Sequence, residues 1–179
     1  GTMEAAVISL GGIVSSASVR IGGNKFDAAI QEFIRRKYGL AIGERTSEDI
    51  KINIGSAMYL KEKLAMDVKG RDMVTGLPRV ITVTSDDVTE AIQHELDGMV
   101  TSLKEVLNVT PPELSADVME KGMILSGGSS QLRNLADLFA EATGVPAYVA
   151  DDPQLCVAKG TGIALENLAS YKRSILATR

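Results

Sequence analysis

The sequence contains no tryptophan, one cysteine and one histidine, and only 4% of its 179 residues are aromatic. Each shortage excludes something. A single cysteine cannot form an internal disulfide, so a reducing compartment is expected. A single histidine, His94, leaves no second imidazole for a metal site or a catalytic relay, and its place on the polar side of a helix gives it a surface role. No apolar run reaches the roughly 18–20 residues that a membrane span needs, and no signal-peptide pattern opens the chain. Basic charge is also short: 19 lysines and arginines stand against 23 aspartates and glutamates, for a net charge of −4. That balance argues against a general grip on nucleic acid, which needs a basic face, while leaving room for a pocket that holds a single nucleotide. The expected location is the cytoplasm. What is present is apolar mass: 45% of residues are hydrophobic, enough for a substantial core.

The order of elements follows from periodicity and punctuation. Residues 3–10 and 13–20 read as an antiparallel hairpin turning at Gly11-Gly12. Residues 24–38 form a helix capped by Asn24, with Asp27 at the capping-box position and Gly39 as the stop. A second helix is expected over 47–57 with Thr46 and Asp49 as its box, then strands over 63–69 and 78–84. Ser85 opens a long helix to about Leu107, whose apolar face carries Val88, Ile92, Leu96, Met99 and Leu103. Thr110-Pro111-Pro112-Glu113 signals a short helix ending near Lys121. A buried strand over 122–126, a helix over 130–142, a strand over 147–150 and a helix over 153–168 complete the chain, with Cys156 as a small buried apolar residue in the last. Strands and helices in this order give an α/β chain with a mixed sheet and a central insertion forming its own small α+β subdomain.

Three glycine pairs punctuate these elements: Gly11-Gly12 in the hairpin, Gly22-Gly23 between strand and helix, and Gly127-Gly128 after a buried strand. At the second, backbone N–H groups of a helix start can face an anion; at the third, absent side chains let a flat base or a sugar approach the backbone. Taken alone, each reads first as a tight structural turn and only second as a ligand loop, and none fits the GxGxxG fingerprint or the P-loop.

The wording around the glycines is more specific. The segments IGGNKFD (21–27), EDIKINIGSA (48–57), GMILSGGSSQLRNL (122–135) and LCVAKGTGIALE (155–166) occur in this order and spacing. Together they resemble the second half of the MreB family of bacterial actin-like proteins, from Gly1 to about Leu168. The resemblance implies lobe II of an actin-like (ribonuclease H-like) fold. Its core subdomain would span residues 1–21 plus 99–179, and its inserted small subdomain residues 22–98. It implies an ATP or ADP pocket, with magnesium, in the complete protein, of which this lobe supplies the adenosine side. Gly127 and Gly128 match the adenosine loop. Glu48 and Lys51 match a pair flanking adenine and ribose, and i,i+3 spacing puts both on one helix face; read without the resemblance, they are an ordinary exposed ion pair. Gly22 and Gly23 match the turn nearest ribose and phosphates, and Gly1-Thr2 the end of the second phosphate loop, whose aspartate would stand before Gly1. Gly160 and Gly162 match a hinge segment. Ser129 replaces a usual glycine and Asn24 a usual acidic residue. The first phosphate loop, the catalytic glutamate and the membrane-binding elements belong to the other lobe, so the chain by itself is not expected to be an ATPase, and its own nucleotide binding is expected to be weak or absent.

Two further implications concern partners: copies of itself, stacked head to tail in filaments that maintain cell shape, and membrane-anchored rod-shape proteins at the inner face of the membrane. No nucleic acid is expected. A superfamily sugar or acetate kinase shares the glycine-turn logic and is the alternative from another class; an adaptor lobe that binds a rod-shape partner without nucleotide is the third. The Lys172-Arg173 pair and Arg179 make the tail mildly basic, a solvated end.

Overall fold

The computed structural model describes residues 1–168; the basic pair Lys172-Arg173 and Arg179 lie outside them. The chain opens with strands β1 (Met3–Ser9) and β2 (Gly12–Val19), paired antiparallel. Ser9 faces Gly12 in the register, so the two-residue turn is Leu10-Gly11 rather than Gly11-Gly12. Both turn residues have positive φ, 49° and 78°, as the tight hairpin turn matching strand twist requires. One extra residue opposite Val7 and Ile8 bulges β2.

Helix α1 (Gly23–Tyr38) buries Phe26, Ile30, Phe33 and Ile34 and ends at Gly39, whose left-handed φ of 61° lets its N–H reach the Arg35 carbonyl. Its N-cap is Gly22, with no side-chain cap, so Asn24 does not cap it and Asp27 makes no box. A two-residue strand β3 (Leu40–Ala41), too short to show a period, leads into α2 (Glu44–Ile54). This helix starts earlier than expected, at the Gly43 cap, and the Thr46–Asp49 box does not form because both residues are already inside the first turns. Strands β4 (Ala65–Asp72) and β5 (Pro78–Thr84) pair antiparallel, and β3 adds to the free edge of β4.

Helix α3 (Ser85–Asn108) is the long central element. Its capping box is real: the Asp87 N–H donates to the Thr84 hydroxyl, and the Asp87 carboxylate accepts from the Thr84 N–H. Val88, Ile92, Leu96, Met99 and Leu103 are buried along one stripe. Thr110 does not cap α4 (Pro112–Lys121). Its hydroxyl returns to the Val106 carbonyl at 2.7 Å and contacts the Ser15 hydroxyl at 2.9 Å, while Pro111 takes the cap position.

Strand β6 (Met123–Leu125) is followed by a single 3₁₀ turn at Gly128–Gln131, and helix α5 (Leu135–Thr143) starts later than the pattern predicts. Strand β7 (Ala147–Val149) pairs parallel with β6, and α6 (Cys156–Glu166) follows a second 3₁₀ turn at Pro153–Leu155. Cys156 is half-buried rather than buried. The expected mixed sheet is also corrected. Antiparallel and parallel ladders both exist, but as separate sheets, β1-β2, β3-β4-β5 and β6-β7. No backbone ladder joins β1 to β6. What unites them is apolar packing: Met3 and Ala5 of β1, Met123 and Leu125 of β6 and Ala147 of β7 all lie against one cluster built on α1 and α3.

Candidate functional site

Four separate stretches of chain meet at the start of α1. Gly22 is pressed against the amino terminus of the chain: a Cβ built on it would lie 3.0 Å from the Gly1 carbonyl carbon. Only glycine allows that approach. A Cβ on Gly23 would lie 3.2 Å from Lys51 Nζ and 3.5 Å from Ser129 Oγ. Gly1, the Gly22-Gly23 turn, the last turns of α2 and the loop after β6 therefore share one small region, although 128 residues separate Gly1 from Ser129. Thr2 is exposed beside Gly1, and Gly127 and Gly128 immediately precede Ser129.

Lys51 is placed firmly. Its side chain is 16% exposed, and its ammonium lies 2.8 Å and 3.0 Å from the two carboxylate oxygens of Asp27. Only the Oδ2 contact has hydrogen-bond geometry, so buried Oδ1 has no hydrogen-bond partner. Lys51 Nζ also points to the Gly23 carbonyl at 3.4 Å. Glu48 is exposed on the same helix and makes no ion pair among the described residues, so the ordinary i,i+3 pair with Lys51 is absent. Sequence reasoning assigned Asp27 to a cap and missed it here. The signal was there in principle: in the stretch FDAAI, Asp27 falls about one turn past the glycines and at i,i+3 and i,i+7 spacing from Ile30 and Ile34, so it shares the buried face, where a carboxylate needs a cation.

The glycine loop is held from two sides. The Gly127 N–H donates to the Pro153 carbonyl at 2.7 Å, and the loop hydroxyl Ser130 Oγ returns to the Gly127 carbonyl. Gly127 has φ 89°, a left-handed conformation, and a Cβ added there would meet nothing within 4 Å, so its face is open. A Cβ on Gly128 would reach Gln154 only at 3.9 Å. Downstream, Arg133 staples the loop to the end of α2. Its guanidinium donates to the Ile52 and Gly55 carbonyls at 3.2 Å each, and its own carbonyl accepts from the Ala57 N–H at 2.8 Å. This fixes the distance between Lys51's helix and the glycine loop. Gly160 and Gly162 do not reach this region, and a Cβ on either would meet nothing within 4 Å.

What this arrangement can do is limited and definite. It gathers into one small region a lysine held by Asp27, the start of α1 and a glycine loop whose Gly127 face is open, residue types suited to a flat ring attached to a sugar and anion. Among the described residues no group of three His, Cys, Asp or Glu side chains is placed to hold a metal ion. No helix is long and apolar enough to cross a membrane, again among the described residues.

Comparison with known proteins gives this geometry relatives. A family model described as MreB/Mbl protein matches residues 1–173. The chain is 50% identical over 168 residues to the cell shape-determining protein Mbl of Bacillus cereus, covering 94% of this chain and 50% of that protein. It is 51% identical over 166 residues to the cell shape-determining protein MreB of Escherichia coli K12, covering 93% and 48%. The chain thus spans about half the length of the curated relatives it matches. Among solved structures, MreB5 of Spiroplasma citri bound to ADP superposes with a TM-score of 0.90 at 35% identity, over 98% of this chain and 52% of that one. The MamK double helical filament shares the fold, with a TM-score of 0.64 at 20% identity over 78% of this chain and 42% of that one.

Proposed function

We propose, on the premise that the chain belongs to the MreB/Mbl family, that it is the adenosine-holding lobe of an actin-like, cell shape-determining protein. The observation that carries this reading is the convergence of Gly22-Gly23, Lys51 and the Gly127–Ser129 loop on one small region. Further support comes from the relatives, since the MreB5 structures carry ADP in one case and AMPPNP in another.

In this proposal Gly127 and Gly128 let the base and ribose lie against bare backbone. Lys51 and Glu48 flank them from α2, and the Gly22-Gly23 turn with Gly1-Thr2 directs N–H groups toward the phosphates. ATP or ADP would supply the charge and the cleavable phosphate; the chain's own residues bind and orient. Because the matched relatives are about twice as long, the groups that activate water are proposed to lie in the other half, and this chain alone is proposed to have no turnover. The two-subdomain division, residues 1–21 with 99–179 against 22–98, belongs to the same proposal. So do head-to-tail filaments, a membrane-anchored rod-shape partner and a place at the inner face of the membrane.

Isothermal titration of the chain with ATP tests the site. Weak binding is expected, and Lys51→Ala should weaken it about tenfold, the loss of one charge-assisted contact. ATP binding that Lys51→Ala leaves unchanged sinks the assignment of Lys51, and no detectable binding at millimolar ATP sinks the reading of this region as a nucleotide site.

A further inference from the structure

The lysine of the candidate site is not a free cation. Lys51 and Asp27 are both largely covered, at 16% and 15% side-chain exposure, and the ammonium lies 2.8 Å and 3.0 Å from the two carboxylate oxygens. A pair at that separation, with most water excluded, presents no net charge to a third group beside it. An ammonium has three N–H groups to give. Asp27 Oδ2 accepts one and the Gly23 carbonyl, at 3.4 Å, accepts a second, while the third has no acceptor among the described residues. Lys51 is thus a fixed hydrogen-bond donor whose charge is already balanced.

The contact with Asp27 is one of charge more than of hydrogen bonding. Asp27 Oδ1 lies 2.8 Å from the ammonium, yet it is buried with no hydrogen-bond partner. A carboxylate that served only to tie α1 to α2 would be expected to have both oxygens satisfied.

The neighbouring groups do not restore a covered positive charge. Lys25, just past the glycine turn, and Glu48, on the helix that carries Lys51, are both exposed and of opposite sign. Asn24 and Ser129 are neutral, and the Ser129 hydroxyl, which lies against Gly23, makes no hydrogen bond among the described residues. What the region offers is therefore one lysine N–H, one serine hydroxyl and the open backbone face of Gly127. These are partners for the hydroxyls and ring edges of a nucleoside. A phosphate finds only the N–H groups at the start of α1.

We infer that Asp27 is a positioning residue that sets specificity: by pairing with Lys51 it turns a phosphate-seeking cation into a donor for the sugar, so the lobe recognises a nucleoside almost regardless of how many phosphates it carries. This rests on the reading of the region as a nucleotide site and adds which part of the nucleotide is read. Without the carboxylate, the covered ammonium would need another counter-ion, and a phosphate is the one that ATP brings.

The test is isothermal titration of the 179-residue chain with adenosine, ADP and ATP, in the presence of a chelator. Salt of about 0.15 M screens the longer-range repulsion from the net charge of −4. The wild type should prefer ATP to adenosine by no more than about fivefold, the contribution of the helix N–H groups. Asp27→Asn should raise that preference by about ten- to a hundredfold, the contribution of one charge-assisted lysine–phosphate contact. Lys51→Ala should move it the other way, toward adenosine, because it leaves the carboxylate bare. A pair with a structural role alone would weaken the three ligands in parallel and leave their ratios unchanged. A wild type that prefers ATP by more than about tenfold, or an Asp27→Asn chain with the wild-type ratio, overturns the inference and leaves the nucleotide site standing. Absence of binding by all three ligands at millimolar concentration overturns the nucleotide reading and this inference with it. The wild-type comparison needs no variant, and Asp27→Ser replaces an Asp27→Asn chain that does not fold, with the same shift expected.

Discussion

At the scale of single residues, the informative groups are two aspartates with different tasks. Asp27 holds Lys51 beside the Gly22-Gly23 turn, and Asp87 ties α1 to α3. The Asp87 side chain is only 6% exposed. Burial pushes its carboxyl up, but Lys37, the Thr84 N–H and hydroxyl and the Tyr38 hydroxyl together hold it below the ordinary carboxylate range. A depressed carboxylate contributes stability that is present above its unfolded value of about 3.9 and is lost as pH falls through the folded one. Denaturant unfolding should accordingly show a stability loss below about pH 4 that flattens in Asp87→Asn. At neutral pH that variant should be less stable by about 1–3 kcal/mol, through loss of the capping box and the buried pair. An unchanged acid limb in the variant would assign the loss to other carboxylates.

Elements are joined here more by side-chain staples than by sheets. Arg133 is the clearest case, because its contacts are with backbone carbonyls at the end of α2, which have no partner within the helix. Arg133→Ala should cost about 1–2 kcal/mol in denaturant unfolding. Lysine at the same position should recover part of it, since one ammonium can donate to both carbonyls as Nη1 does, though from a more flexible stem that loses more freedom on binding. Full recovery by lysine would mean that the planar guanidinium adds nothing to the joint beyond one donor nitrogen. The elements themselves were unevenly legible. The long helix α3 was readable because its apolar stripe, Val88 to Leu103, recurs at helical spacing over about four turns; its start was placed at Ser85, and the Thr84–Asp87 box that fixes it went unread. The starts of α1 and α2 were misread because glycines cap them, and a glycine cap leaves no side-chain signature. β3 has two residues and no period to find.

At the scale of the whole molecule, the candidate site was partly legible. Its glycines and Lys51 stood out by their wording, while Asp27 and Arg133 did not, because their partners lie 24 and 78–81 residues away and only folding brings them together. The separation of the sheets was illegible for a related reason: strand existence is local, but pairing is not. The β1-β2 turn leaves an apolar side chain in water at a strained backbone position. Leucine at position 10 is held at φ 49° in a turn that glycine or asparagine would occupy with less strain. Leu10→Gly should therefore leave the chain as stable or more stable, by up to about 1 kcal/mol, in denaturant unfolding. A library randomised at position 10 and selected by survival of heating should enrich glycine and asparagine. The leucine that stands there is then a residue that heat alone would not choose.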